Sequence, residues 1–106
     1  MSFDLTGKTV LVTGASRGIG AAAALAFARK GAARVVIHYN SYKEGATELV
    51  KKVQAEGAEG MAIQADLTTE AGISYLISEV RERSVSPSIL VNNAGYLIQR
   101  ASLAES

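Results

Sequence analysis

The sequence contains no cysteine and has almost no excess charge of either sign. Without cysteine, disulfide bonds, thiolate catalysis and cysteine-ligated metal sites are excluded, and we predict no metal site. A net charge of +1 over 106 residues creates no field that would attract nucleic acid or an anionic membrane, so we expect neither as a partner. Any phosphate group that the protein binds must therefore be held by local geometry.

Long apolar runs are also missing. The apolar segments are too short, and too often interrupted by charge, to span a bilayer. The first residues, Met1 to Lys8, are polar and lack the apolar centre of a secretory signal. We therefore expect a cytoplasmic protein. Its 48% hydrophobic and 20% charged residues are typical of one soluble globular domain, spanning residues 1–106.

Four short segments rich in β-branched and apolar residues alternate with segments of helical periodicity. The four are predicted strands: Lys8 to Thr13, Arg34 to Tyr39, Gly60 to Ala65 and Ser88 to Val91. Near-continuous apolar runs within them suit strands that are buried on both faces of a parallel sheet. The order β-α-β-α-β-α-β with short connections predicts an α/β fold with right-handed crossovers.

Each intervening helix is predicted to pack through one apolar face. The three faces are Ile19, Ala23, Ala26 and Phe27, then Ala46, Leu49, Val50 and Val53, then Ile73, Leu76, Ile77 and Val80. Ser41 and Glu44 match a capping box at the start of the second helix. Gly31 and Gly57 stand where the first two helices would end, and Pro87 marks the entry to the fourth strand.

A glycine-rich turn joins the first strand to the first helix, reading Thr13-Gly14-Ala15-Ser16-Arg17-Gly18-Ile19-Gly20. Glycines let a phosphate approach the backbone closely, and a helix N-terminus offers unpaired N–H groups and a favourable dipole. The spacing G-x-x-x-G-x-G differs from the common dinucleotide fingerprint G-x-G-x-x-G. A glycine turn without a ligand is the alternative, which the flanking strand and helix and the arginine inside the turn disfavour.

The same turn fits G-x-S-x-G, the nucleophile elbow of α/β-hydrolases, with Ser16 as the nucleophile. That interpretation requires an acid and then a histidine further along the chain. The only histidine, His38, precedes Asp66. A serine without a general base is a poor nucleophile, so hydrolysis is a distant alternative.

Several motifs together resemble the short-chain dehydrogenase/reductase family. T-G-x-x-x-G-x-G after the first strand and N-N-A-G after the fourth are matched by Thr13, Gly14, Gly18 and Gly20, and by Asn92-Asn93-Ala94-Gly95. Asp66 after the third strand and the lead-in Leu5-Thr6-Gly7-Lys8 are also family-like. The resemblance implies the first β-α-β-α-β-α-β half of a Rossmann-type, doubly wound parallel sheet. It also implies an oxidoreductase that acts on an alcohol or carbonyl substrate.

The resemblance further implies where a nicotinamide cofactor would lie. The loop from Gly14 to Gly20 would hold its phosphates, Ile19 would approach the nicotinamide side, and Asp66 and Leu67 would meet the adenine. The complete predicted cofactor site is Gly14, Ser16, Arg17, Gly18, Ile19, Gly20, Tyr39, Asn40, Ser41, Asp66, Leu67, Asn93, Ala94 and Gly95, the last three lining the ribose and nicotinamide end. Two alternatives stay open: Asp66 as a cap of the next helix, and Asn92 as a buried amide that ties neighbouring strands together.

The end of the second strand indicates which nicotinamide cofactor is bound. NAD-dependent folds place an acidic residue there, about 20 residues past the glycines, to bind the ribose 2′-hydroxyl. This region reads His38-Tyr39-Asn40-Ser41 and contains no carboxylate. Arg17, Asn40, Ser41 and Lys43 can instead donate hydrogen bonds to a 2′-phosphate, which favours NADP(H) over NAD(H). In the alternative, Arg17 and Lys43 are solvated surface charges. His38 is interpreted as a strand-end side chain and not as a catalyst.

Family enzymes carry a catalytic Tyr-x-x-x-Lys pair, an upstream Ser and a further Asn, and none of these is assigned in this chain. We therefore predict no catalytic residue, and we expect residues 1–106 to be an inactive, cofactor-binding part of a longer polypeptide that forms a homo-oligomer. Ending after the fourth strand would leave an exposed apolar edge, so we expect the isolated chain to be marginally stable. A non-catalytic nucleotide-binding or interaction module is the alternative function.

Overall fold

The computed structural model describes residues 5–83 and 87–93 and confirms the alternation of strands and helices. Within these residues the elements are β1 (Thr9–Val12), α1 (Gly18–Arg29), β2 (Arg34–Tyr39), α2 (Lys43–Ala55), β3 (Glu59–Gln64), α3 (Glu70–Glu82) and β4 (Ile89–Val91). β2 has the predicted bounds, β3 lies one residue earlier, and β1 and β4 are slightly shorter than predicted. Of the helices described, none combines the length and the apolar content that a membrane crossing needs.

The four strands form one parallel sheet in the order β3-β2-β1-β4, which confirms the predicted fold class. Val10 of β1 pairs with Val35 of β2 on one side and with Ile89 of β4 on the other. The chain moves outward from β1 through β2 to β3 and then returns to the opposite side of β1. The crossovers therefore reverse direction between β1 and β4, and in such sheets ligands bind beyond the carboxyl ends of the strands at this switch point.

Both faces of β1 and β2 are covered, which explains the continuous apolar runs of these two strands. One face packs against α1 and α2 through Val10, Val12, Val35 and Ile37. The other packs against α3 through Leu11 and Val36. All six side chains are fully buried, and burying each contributes about 1.5–3 kcal/mol. The core therefore holds the carboxyl ends of β1 and β2 in place.

The predicted buried face of α1 is only partly right. Phe27 packs against the core as predicted, but Ile19 is 81% exposed, and the fully buried residues are Gly20, Ala24 and Ala28. The part of α1 that lies closest to the sheet is therefore made of small residues, which the spacing of the larger apolar residues does not mark. The predicted faces of the other helices are confirmed, since the buried residues are Ala46, Leu49 and Val53 in α2 and Leu76, Ile77 and Val80 in α3.

The helix ends follow the predicted local chemistry only in part. Gly31 and Gly57 follow the ends of α1 and α2 as expected, with φ of +97° and +96°, a conformation that favours glycine. The predicted capping box is wrong, because α2 begins at Lys43 and its N-cap residue is Tyr42, which makes no side-chain cap. Ser41 instead accepts the Lys43 N–H through its backbone carbonyl.

Candidate functional site

The predicted cofactor residues that the structure describes lie in or next to the loops that leave the carboxyl ends of the strands. The loop between β1 and α1 turns through two glycines in the left-handed region, Gly14 with φ of +60° and Gly18 with φ of +63°. α1 begins at Gly18, and the extended residue before it, Arg17, makes no side-chain cap. Among the described residues, no side chain accepts a hydrogen bond from the N–H groups of this first turn, an arrangement that can bind phosphate at a helix N-terminus.

The third glycine of the loop is required by close contact with the residues after β4. A Cβ atom at Gly20 would meet the carbonyl oxygen of Gly14 and would lie 2.7 Å from the side-chain nitrogen of Asn93. The Asn93 amide donates a 3.1 Å hydrogen bond to the same carbonyl. The Thr13 hydroxyl makes a parallel connection, 3.2 Å from the side-chain oxygen of Asn92. Asn92 thus ties the end of β1 to the end of β4 as interpreted, but it is exposed and not buried.

His38, the next-to-last residue of β2, is only 2% exposed and bridges two loops of the site. Its Nδ1 accepts a 2.9 Å hydrogen bond from the N–H of Gly14. The ring proton therefore lies on Nε2, which donates to the carbonyl of Ala65 at 2.8 Å. Burial lowers the pKa of His38, against the smaller opposing effect of the Ala65 carbonyl. The interpretation as a strand-end side chain agrees with this position but missed the bridge.

Asp66 forms the turn between β3 and α3. Its Oδ1 accepts hydrogen bonds from the hydroxyl and the N–H of Thr68, which together lower the pKa of the exposed carboxyl, the hydroxyl having the larger effect. The cap of α3 is Thr69, whose hydroxyl accepts a 2.9 Å hydrogen bond from the N–H of Gly72. The alternative that Asp66 caps this helix is therefore wrong.

The other residues predicted beside the adenosine divide into exposed and buried side chains. Asn40 and Ser41 are exposed just beyond β2. Tyr39 and Leu67 are only 8% and 4% exposed, so a ligand would meet their backbone and not their side chains. Asn40 and Asp66 line the same open cleft, of about 500 Å³, beside β3.

Arg17 is held by an aromatic ring that the sequence analysis did not single out. Its guanidinium carbon lies 4.9 Å from the centre of the Tyr42 ring, a cation–π contact. A Cβ atom at Gly45 would lie 2.5 Å from this ring and would also strike the carbonyl oxygen of Ser16. The glycine loop therefore packs against the first turn of α2. Gly45 was the available signal, because glycine inside a helix costs about 1 kcal/mol relative to alanine and often marks a close approach.

One Tyr-x-x-x-Lys spacing does occur in the chain, at Tyr39 and Lys43, and the sequence analysis overlooked it. Residues four apart share a face only within a helix. Here Tyr39 ends β2 and Lys43 begins α2, and the Tyr39 side chain is buried. The spacing alone therefore does not establish a catalytic pair, and the absence of catalytic residues stays a prediction.

The geometry disfavours the hydrolase alternative. Both ring nitrogens of His38 are engaged, by Gly14 and by Ala65, so the imidazole is not available to Ser16 as a general base. In the part of the chain that the structure describes, no group of three or more His, Asp or Glu residues could hold a metal ion. Ala94 and Gly95, predicted at the nicotinamide end, lie outside the described residues.

The chain is similar to known oxidoreductases in both sequence and structure. It is 47% identical over 91 residues to Hydroxynaphthalene reductase arp2 of Aspergillus fumigatus, covering 86% of this chain and 33% of that protein. It is 38% identical to Pseudomonas aeruginosa RhlG, solved as an NADP complex, with a TM-score of 0.78 over 87% of this chain and 36% of the other. L-sorbose reductase of Gluconobacter frateurii, complexed with NADPH and L-sorbose, is 31% identical, with a TM-score of 0.81 over 90% of this chain and 36% of the other.

These matches cover most of this chain but only part of each relative. The chain spans about one third of the length of the curated relatives it matches. The family profile described as short chain dehydrogenase, in contrast, matches residues 8–106, nearly the whole chain. That region contains the parallel sheet, the glycine loop and the Asn93 contact that closes it. The chain therefore belongs to the short-chain dehydrogenase family.

Proposed function

We propose that this protein is an NADP(H)-dependent oxidoreductase that transfers a hydride between the nicotinamide and an alcohol or carbonyl substrate. In this proposal the present chain is the part that binds the cofactor. Support comes from the glycine loop, where Gly14 and Gly18 adopt left-handed backbone conformations and Gly20 has no room for a Cβ atom. Such a loop leaves the backbone open to a pyrophosphate at the start of α1.

When bound, the cofactor supplies the hydride, and the protein supplies position and electrostatics. The uncapped first turn of α1 would hold the phosphates. The exposed side chains of Asn40 and Asp66 line one cleft and would meet the adenosine. Asn93 keeps the loop closed by donating to the Gly14 carbonyl, which would fix the phosphates relative to the end of β4.

The observation that carries the preference for NADP(H) is the position of Arg17 over Tyr42. A cation–π contact restricts the guanidinium before any ligand binds, so less entropy is lost when it pairs with an anion. Asn40 and Ser41, just beyond β2, are neutral hydrogen-bond donors, and the stretch from His38 to Ser41 contains no carboxylate at the position where NAD-dependent folds place one. Relatives solved with NADP and NADPH support the same choice.

Arg17→Ala tests this proposal through binding alone. We expect the variant to bind NADPH and 2′,5′-ADP about tenfold more weakly, because a charge-assisted hydrogen bond contributes roughly 1.5–3 kcal/mol. Its affinity for NADH and 5′-AMP, which lack the 2′-phosphate, should change little. Isothermal titration calorimetry measures all four ligands. Arg29→Ala is the matched control, because Arg29 pairs with Glu56 at the far end of α1. Wild-type protein that binds NADH as tightly as NADPH would refute the cofactor preference.

Tyr42 allows the same assay to test how Arg17 is held. Tyr42→Leu removes the aromatic face, so NADPH affinity should fall by about two- to fivefold, less than in Arg17→Ala. Tyr42→Phe keeps the face and should bind as wild type does. An equal loss in the two Tyr42 variants would show that the ring does not position Arg17.

A further inference from the structure

His38 connects two parts of the site that are far apart in sequence. β2 lies between β1 and β3 in the sheet, and the imidazole at its end reaches a loop on either side. Towards β1 it accepts the N–H of Gly14, the first glycine of the phosphate loop. Towards β3 it donates to the carbonyl of Ala65, the residue before Asp66. One side chain thus spans the distance between the loop and the turn proposed to meet the adenine.

Only one form of the ring satisfies both contacts. Gly14 presents a donor and Ala65 presents an acceptor, so Nδ1 must be bare and Nε2 must carry the proton. The other neutral tautomer would place a donor against a donor and an acceptor against an acceptor. Because His38 is only 2% exposed, water cannot readily replace either contact. The nearest acidic neighbour in sequence on the β3 side, Asp66, directs its carboxylate to Thr68.

The backbone around His38 strengthens the same connection. The N–H of Ala15 donates to the carbonyl of His38, and the N–H of Ala65 donates to the carbonyl of Tyr39. The ring therefore acts together with two backbone hydrogen bonds, and each flanking loop is attached to β2 at two points. Because each loop is attached to β2 by two hydrogen bonds, the distance between the two loops is fixed.

We propose that His38 is a positioning residue that sets the separation between the phosphate loop and the turn at Asp66, so that one dinucleotide meets both. This inference rests on the proposed cofactor role of the site. It assigns His38 no contact with the cofactor and no part in hydride transfer. Its effect is confined to ligands that are long enough to touch both loops.

Substitutions at His38 in the native polypeptide test the proposal. His38→Leu removes both side-chain hydrogen bonds, and we expect NADPH affinity to fall about tenfold. His38→Asn keeps a side-chain acceptor close to the position of Nδ1 and should recover part of the loss. Adenosine, which carries no phosphate and reaches only the turn at Asp66, should lose less than about twofold in affinity in either variant, because a short ligand can follow one displaced loop.

Val36→Ala is the matched control, since Val36 lies two residues earlier on the same strand and is fully buried. It weakens the core without touching either hydrogen bond of His38. If Val36→Ala lowers NADPH affinity as much as His38→Leu does, His38 only fills space and the proposal is wrong. Equal losses of affinity for NADPH and for adenosine would also overturn it.

The ring itself provides a test that does not depend on any variant binding a ligand. A long-range ¹H–¹⁵N correlation spectrum of the wild-type protein reports which imidazole nitrogen carries the proton, and His38→Asn identifies the signal. We expect the Nε2–H tautomer at neutral pH. Observation of the Nδ1–H tautomer or of a charged ring would overturn the inference. Wild-type protein that shows the expected tautomer but binds no NADPH would instead refute the proposed function.

Discussion

Gly20 and Gly45 shape the site through the Cβ atom that each lacks. At Gly20 the missing atom lets α1 approach Asn93 and the Gly14 carbonyl, and at Gly45 it lets the glycine loop lie against Tyr42. Glycine inside a helix ordinarily costs about 1 kcal/mol relative to alanine. At these two positions that cost is offset by contacts which bring the loop, the end of β4 and the start of α2 together.

His38 makes folding stability depend on pH. Its pKa in the folded protein lies below the ordinary value of 6.5, because burial disfavours the charged ring. The unfolded chain therefore binds the proton more tightly, and the contribution of the neutral ring is fully present above pH 6.5 and is lost as the pH falls from there towards the lower, folded pKa. We predict a loss of up to about 1.4 kcal/mol per pH unit in that window, measured as the free energy of unfolding in urea.

His38→Asn serves as the comparison in these titrations. The variant has no imidazole, so the part of the slope below pH 6.5 that belongs to His38 should disappear. Asp66 does not interfere, because its pKa is lowered from 3.8 and its titration falls in a more acidic range. Identical slopes in the two proteins would show that His38 takes up no proton on unfolding.

The three helices reach the sheet by different means. α2 and α3 bury larger apolar side chains at helical spacing, so their faces could be predicted from periodicity alone. α1 fully buries Gly20, Ala24 and Ala28. These residues are small, so a search for large apolar residues at helical spacing does not find this face. The N-termini of the three helices also differ: Thr69 caps α3, while the N-cap residues of α1 and α2, Arg17 and Tyr42, make no side-chain cap. An uncapped α1 leaves its first N–H groups for the proposed phosphate contact.

Thr69→Ala should destabilise the protein by about 1 kcal/mol, because the Gly72 N–H loses its side-chain acceptor at the start of α3. Chemical denaturation measures the change. Thr47→Ala is the control, because Thr47 is exposed in the middle of α2, where alanine is the better helix former and should be neutral or slightly stabilising. Equal destabilisation by the two substitutions would contradict the capping role.

At the scale of the whole molecule, the sheet is unevenly protected. β4 pairs with β1 and has no second partner among the described strands. Leu90 in its centre is 39% exposed, whereas the corresponding residue of β1, Leu11, is fully buried. A short apolar strand with a free edge is a site for pairing with another chain. The relatives are about three times as long as this chain. An experiment on residues 1–106 alone therefore tests whether this edge of β4 is exposed.

We predict that residues 1–106, produced alone, are marginally stable and self-associate through β4. Sedimentation velocity should show larger species as the concentration rises, and Leu90→Lys should reduce them, because a charge on an edge strand opposes pairing. Lys52→Leu, on an exposed part of α2, adds apolar surface away from the edge and serves as the control. A monomer with a cooperative, concentration-independent melt at high temperature would refute the prediction.

The sequence by itself determined the order of elements, the parallel sheet, the family and the position of the glycine loop. These properties depend on short-range patterns: apolar runs in strands, helical periodicity, and glycines such as Gly14 and Gly18 at fixed spacing after a strand. Only the tertiary structure decided the small-residue face of α1, the placement of Arg17 on Tyr42 and the bridge made by His38. Each of these depends on which segments become neighbours in the sheet. The Gly14 N–H and the Ala65 carbonyl are main-chain groups present at nearly every residue, so their meeting at one imidazole leaves no mark in the sequence.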